Sequence, residues 1–205
     1  KKKIYLTIDD GPKDSHGEIL ENLRGNKATF FMVGRSLDTV NGFDSACRTL
    51  ELGNEIGNHS YSHPKFSRIN FEEVKTEIER THRLIERAYS LVGRTNPCLF
   101  RFPYGDDGDE LMVPILENYE VNKKLKIKNF LIEMGYTTYF WNVDSEDYRH
   151  YLDNDKKINL EEVMNNIMRT KDGDIVLVHD LPITAKNIIP FLIDSGKYEL
   201  EVLGR

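Results

Sequence analysis

The sequence predicts an α/β fold in which β-then-α units repeat around a parallel sheet. Short runs rich in β-branched and aromatic residues alternate with segments of helical apolar spacing along the whole chain. No internal repeat and no linker-like stretch interrupts them, so residues 1–205 read as one domain, long enough to bury a sizeable core without disulfides.

The elements follow in order. Ile4 to Ile8 reads as the first strand, and Ser15 to Arg24 as a helix with an Ile19, Leu20, Leu23 stripe. Ala28 to Phe31 is a second strand, with a helix around Phe43 to Leu52. Glu55 to Asn58 is a short third strand, and Asn70 with Glu73 resembles a capping box opening a long helix to about Leu91, on which Val74, Ile78 and Ile85 recur. Leu99 to Phe102, Thr137 to Val143 and Ile175 to Val178 are further strands. Helices are expected at Leu160 to Met168 and Ala185 to Asp194, before a closing strand at Tyr198 to Leu203. Between Tyr104 and Gly135 the pattern weakens: acidic Asp106, Asp107, Asp109 and Glu110 precede basic Lys123, Lys124, Lys126 and Lys128. This reads as a solvated loop leading into an amphipathic helix, with an enlarged loop over a binding groove as the alternative.

Composition excludes several classes. The 34 acidic and 28 basic residues are spread along the chain with no basic face, which argues against nucleic acid as the partner. No run approaches the ~18 apolar residues of a membrane span. Cys47 and Cys98 are too few for a disulfide framework, and two small buried thiols are favoured over a bridge. The chain begins Lys1-Lys2-Lys3 without an initiator Met, which leaves room for a preceding targeting segment.

Taken singly, the candidate functional residues are weak signals. His59 and His63 stand four apart, a spacing that places both imidazoles on one side of a helical turn; they could be metal ligands or capping residues. Asp9-Asp10-Gly11-Pro12 could be an acidic turn. Position strengthens them: Asp9-Asp10, His59 and His63, Arg101 to Tyr104, Asp144 to Tyr148 and His179 all lie at or just past the carboxyl end of a predicted strand. In a (β/α) barrel these ends meet on one face, where active sites of that architecture are found. A carboxylate with two imidazoles suits an open-sided catalytic zinc site, and the same set can hold ferrous iron in an oxygenase. A spare carboxylate and a distal His-Asp pair fit a hydrolase better, since it needs a base for water and an acid for the leaving group.

Five segments, Thr7-Ile8-Asp9-Asp10-Gly11-Pro12, His59-Ser60-Tyr61-Ser62-His63, Arg101-Phe102-Pro103-Tyr104, Asp144-Ser145-Glu146-Asp147-Tyr148 and Leu177-Val178-His179, resemble in order the five motifs of the polysaccharide deacetylases, the NodB-homology domains of carbohydrate esterase family four. The stretches Ala28 to Gly34 and Gly53 to His59 are also similar. The resemblance spans nearly the whole chain and implies a distorted (β/α) barrel resembling a TIM barrel, with one divalent cation (zinc first, with cobalt, nickel or iron as alternatives) at its C-terminal face. It implies Asp10, His59 and His63 as ligands, Asp9 as the base for the attacking water, and Arg101 as the group that orients that base. It further implies the backbone N–H of Tyr104 as an oxyanion donor, His179 as the acid held by Asp147, and Leu177 with Tyr148 as the lining of a small pocket for the acetyl methyl.

The implied reaction removes N-acetyl groups from N-acetylglucosamine in peptidoglycan or a chitin-like polymer, by a monomer acting at the cell envelope or outside the cell. O-deacetylation of a polymer such as acetylxylan and a non-catalytic sugar-binding relative are the alternatives. Two departures stand out: Tyr148 occupies a position where the family usually has Trp, which changes the width or polarity of the methyl pocket, and Ile8 one where Phe is usual. Asn58-His59-Ser60 reads as a glycosylation sequon but would place a sugar on the candidate site. No Gly-x-Ser-x-Gly elbow or phosphate-binding glycine loop occurs. His82 reads as a helix-surface residue, and His16 and His150 as candidate groove residues.

Overall fold

The computed structural model describes residues 1–108 and 122–205. Its strands are β1 (Lys2–Asp9), β2 (Thr29–Met32), β3 (Glu55–Asn58), β4 (Leu99–Phe100), β5 (Thr137–Thr138), β6 (Val143–Asp144), β7 (Ile175–His179) and β8 (Tyr198–Glu201). Its α-helices are α1 (His16–Asn22), α2 (Gly34–Leu37), α3 (Val40–Glu51), α4 (Phe71–Leu91), α5 (Lys123–Glu133), α6 (Leu160–Met168) and α7 (Ile189–Asp194). All strand pairs are parallel, in the order β5-β4-β3-β2-β1-β7-β6, with β8 beside the first half of β1. The expected α/β architecture, a distorted (β/α) barrel, takes the form of a parallel half-barrel with its helices packed outside.

Period-two alternation builds the two layers. On β1, Ile4, Leu6 and Ile8 are buried against the helices, where Ile19 and Leu23 of the α1 segment, Leu50 of α3, Ile85 of α4 and Ile167 of α6 meet them. Each such side chain contributes roughly 1.5–3 kcal/mol on burial. Tyr5, Thr7 and Asp9 take the other face. Inside the barrel Phe31, Leu99 and Leu203 form a small plug, with Tyr5, Tyr139 and Ile175 packed on it. A second outer core lies between α4 and α5, around Phe66, Val74, Ile78, Phe100 and Ile127.

The expected capping box opens α4: Asn70 Oδ1 accepts from Glu73 N–H while Glu73 accepts from Asn70 N–H. Asn159 and Glu162 form a second box that opens α6. The α3 helix starts three residues before the expected Phe43 because Thr39 caps it, accepting from Gly42 N–H. The expected strand from Thr137 to Val143 is instead two short strands on opposite edges of the sheet. Residues 139–142 cross between them: Tyr139 N–H bonds Phe100 O, and Asn142 N–H bonds Ile175 O. The carbonyls of Tyr139 and Phe140 turn to the Arg101 guanidinium and so leave the ladder. Both cysteines are free thiols, half-buried rather than buried.

The charged segment is only partly described, since Asp109 and Glu110 lie outside the described residues. Lys123 is not solvated as a charge run would suggest: it is buried, and its Nζ donates to Ser67 O and Ile69 O. No described helix is long and apolar enough to cross a membrane.

Gly57 allows β3 to close on the barrel plug. A Cβ there would meet Phe31 Cδ1 and Cε1 at 2.5 Å. Gly57→Ala is therefore expected to cost about 1–3 kcal/mol, read as a lower urea midpoint with unchanged slope. An unchanged midpoint would show that the strand does not need this close approach.

Candidate active site

The site is assembled at the carboxyl ends of β1, β3, β4 and β7. The β1 strand ends at Asp9, and the chain turns at Asp10 in the left-handed region (φ 74), which Asp tolerates better than most residues. Asp10 N–H donates to Phe31 O, so β2 holds the turn in place. His59 directly follows β3. The segment from His59 to His63 is not a helical turn, contrary to the spacing argument: Ser60 and His63 both have positive φ (67 and 62), and the loop folds back so that the two rings meet edge to face. Glu77 of α4 fastens it by accepting from Tyr61 N–H, Ser62 N–H and Ser62 Oγ–H. Glu77 was not foreseen, and nothing in its spacing marks it.

His59 Nε2 lies 3.2 Å and His63 Nε2 3.0 Å from Asp10 Oδ1. His59 Nδ1 donates to Arg101 O, since a carbonyl only accepts, and this leaves Nε2 facing Asp10. Asp10 Oδ1 is buried without a hydrogen-bond donor. Burial alone would raise the Asp10 carboxyl, but His59, His63 and the charge on His179 hold it well below the usual carboxylate range. One anionic oxygen and two imidazole nitrogens, all within 4.8 Å of one another, form a donor set that fits a divalent cation. The Asn58 sequon is fully buried, so it cannot carry a sugar in the folded chain.

Beside this group sits Asp9. Its Oδ1 accepts from Arg101 Nη1 at 2.9 Å, while its Oδ2 faces His59 Nε2 at 3.6 Å. Arg101 is fully buried and every guanidinium nitrogen is used: Nη1 also donates to Thr7 Oγ1, Nε to Tyr139 O and Nη2 to Phe140 O. The Phe31 ring lies 4.3 Å and the Trp141 ring 5.6 Å from its Cζ. Trp141, on the crossing segment, was missed in the sequence because that segment reads as plain strand.

Across the β1–β7 ladder His179 is the direct partner of Asp9, so both side chains leave the same face. His179 Nδ1 donates to Asp147 Oδ1 at 2.7 Å. Asp147 is fully buried; its Oδ2 accepts from His179 N–H and Thr184 Oγ–H, and its Oδ1 from Tyr148 N–H. Burial would raise its carboxyl, but these bonds and the His179 charge keep it below its ordinary value. Burial would likewise lower His179, yet the Asp147 bond and charge, with Asp9 and Asp10 nearby, raise it to about 9.

The remaining expected residues border the same space. Tyr104 has positive φ (60), and its exposed ring lies 4.6 Å from that of His63. The Tyr148 ring lies 5.7 Å from that of His179 and is half exposed. Leu177 is buried, two residues before His179 on the same inward face. His16 is not a groove residue: it is buried, with Nε2 2.7 Å from Thr49 Oγ1 and Nδ1 3.3 Å from Asp180 Oδ2. The same Asp180 oxygen accepts from Lys13 N–H, which ties the turn to the end of β7. His150 Nδ1 lies 3.2 Å from Ile158 O. His82 is half-buried and bonded to Tyr136 Oη rather than free on the helix surface.

Residues 1–123 match the polysaccharide deacetylase family. The chain belongs to that family. Across 98% of its length it is 34% identical to the peptidoglycan N-acetylmuramic acid deacetylase PdaC of Bacillus subtilis, and across 89% it is 31% identical to the peptidoglycan N-acetylglucosamine deacetylase of Bacillus cereus. It spans 38% and 57% of those relatives' own lengths. A family 4 carbohydrate esterase from Streptomyces lividans, solved with acetate, superposes with a TM-score of 0.74 at 27% identity, covering 98% of this chain and 92% of that one. The polysaccharide deacetylase fold thus places the five motif segments around one group of convergent side chains.

Because the folded His179 value lies above that of free imidazole, the His179–Asp147 pair stabilises the metal-free fold fully below about pH 6.5, and this contribution is lost as pH rises through about 9. In chelator-treated protein, Asp147→Asn should lower the His179 titration midpoint, followed by NMR, from about 9 toward that of free imidazole, because only the Asp9 and Asp10 charges then oppose burial. A midpoint that stays near 9 would remove Asp147 as the cause.

Proposed function

We propose that this chain is a metal-dependent hydrolase that removes N-acetyl groups from N-acetylglucosamine residues of a polysaccharide, peptidoglycan or a chitin-like polymer. The observation that carries the reading is the placing of Asp9 Oδ2 beside the Asp10, His59 and His63 donors, with its other oxygen fixed by a buried arginine. On this reading residues 1–205 are one catalytic domain working as a monomer at the cell envelope or outside the cell.

Asp10, His59 and His63 would hold the cation, with zinc as the first choice for two imidazoles and a carboxylate. When bound, the cation supplies Lewis-acid polarisation of the amide carbonyl and makes water acidic near neutral pH. Asp9 takes the proton from the attacking water through Oδ2, and Arg101, bonded to Oδ1, keeps that carboxylate aimed. The N–H of Tyr104 donates to the oxygen on which charge develops. His179, with Nδ1 held by Asp147, delivers the proton on its other nitrogen to the departing amine, which leaves poorly without it. Leu177 and Tyr148 border the recess that takes the acetyl methyl; Tyr148 brings a hydroxyl to its rim where the family usually has an indole.

Release of acetate from peptidoglycan, chitin oligomers and acetylxylan, measured in parallel, tests the substrate class. The peptidoglycan products should be sorted by sugar, since the two bacterial relatives are named for different ones. Acetate from N-acetylglucosamine units is the expected result. Acetate from acetylxylan alone would turn the reading to O-deacetylation, and binding without release to a non-catalytic relative.

Asp9→Asn should retain the cation and lose activity by roughly 10²–10⁴, the usual worth of a general base. His63→Ala should instead lower cation content, measured by elemental analysis of the purified protein. Near-normal turnover in Asp9→Asn would contradict the assignment of the base.

A further inference from the structure

Away from the deacetylase site, one other group of metal-ligating side chains converges among the described residues. His82 and Glu86 stand four apart on α4, a spacing that puts both on one helix face. Cys98 immediately precedes β4, at the end of the barrel opposite the strand tips. A His82 ring nitrogen, a Glu86 carboxylate oxygen and the Cys98 sulfur all lie within 4.8 Å of one another. We infer that His82, Glu86 and Cys98 form a second cation site, one that takes a borderline divalent ion such as zinc or cobalt through imidazole, carboxylate and thiolate.

The three groups are positioned by neighbours rather than left to wander. Asn96 serves two of them: its Nδ2 donates to Glu86 Oε1 at 2.7 Å, and its Oδ1 accepts from Cys98 N–H at 2.9 Å. The backbone of Cys98 is held in the left-handed region (φ 54), which a residue without glycine's freedom adopts only under local constraint. The buried Tyr136 bonds His82 Nδ1, and Tyr136 Oη accepts in turn from Asn58 Nδ2. A hydrogen-bond partner on the ring is the usual accompaniment of a ligating histidine. Asn58 directly precedes His59, so this outer cluster is bonded to the strand that delivers a ligand to the deacetylase site.

The donor types choose the ion. A thiolate with an imidazole favours zinc, cobalt or cadmium over magnesium or calcium, and three protein ligands leave a position open to water. Burial, and then the Glu86 charge, push the Cys98 thiol up. Coordination therefore releases the thiol proton to solvent as the sulfur–metal bond forms, and the cation offsets the carboxylate that had opposed ionisation.

Cobalt(II) tests the inference apart from the deacetylase reading, because the Asp10, His59 and His63 set contains no sulfur. The full chain, stripped with chelator and titrated with cobalt(II), should bind about two equivalents and develop a near-ultraviolet sulfur-to-cobalt charge-transfer band. Cys98→Ser should abolish the band and leave about one equivalent, and Cys47→Ser should change neither. His63→Ala should lose the other equivalent and keep the band. If Cys98→Ser does not fold, His82→Gln, which retains the thiol, must weaken the cobalt affinity read from the band by at least about tenfold. Wild-type protein without the band, or a band that survives Cys98→Ser or is unmoved by His82→Gln, would overturn the site.

Discussion

The buried guanidinium of Arg101 is the constraint around which the barrel is arranged. A full charge inside a protein is tolerated only when paired and hydrogen-bonded, and removing one partner of such a pair costs about 3–5 kcal/mol. Here the demand is met from three directions: Asp9 and Thr7 on β1, the Tyr139 and Phe140 carbonyls on the crossing segment, and the Phe31 ring below. Thr7 can accept because its own proton goes to Val176 O on β7. One side chain just past β4 thereby fixes why residues 139–142 leave the ladder and which oxygen of Asp9 is left to face the site.

The rest of the site follows from strand register and from loops tied by single carboxylates. The ladder sets Asp9 against His179, so an acid and a base of the proposed chemistry share one inward face without special loop geometry. Glu77 gathers the His59–His63 loop, Asp147 saturates its oxygens while holding His179, and Asp180 joins the turn after Asp10 to the end of β7. Glu77 and Asp147 accept backbone N–H groups as well as side-chain donors, and Asp180 accepts the Lys13 N–H. They hold the functional groups in place in positions where irregular backbone has no ladder to rely on.

Much of this was legible in the sequence because strands announce themselves by alternation and end in residues with chemistry. Asp9, Asp10, His59, His63, Arg101 and His179 could be placed together from strand ends alone, and Asn70 with Glu73 marked the start of α4. The helical reading of His59 to His63 failed because four-residue spacing cannot distinguish a helical turn from a loop bent twice through the left-handed region. The strand from Thr137 to Val143 failed for a long-range reason: its apolar pattern is intact, but Arg101, remote in sequence, takes its carbonyls. His16 and Asp180 meet only after folding, and Glu77 carries no local mark. Cys98 lies just before β4 while His82 and Glu86 share α4, so the three come together only in the folded chain.

The most direct test of the central claim is an anomalous-difference map from crystals grown with zinc. The account predicts a peak ligated by Asp10, His59 and His63, with Asp9 held off the ion by Arg101. A peak ligated through Asp9, or no ion among those three side chains, would contradict it.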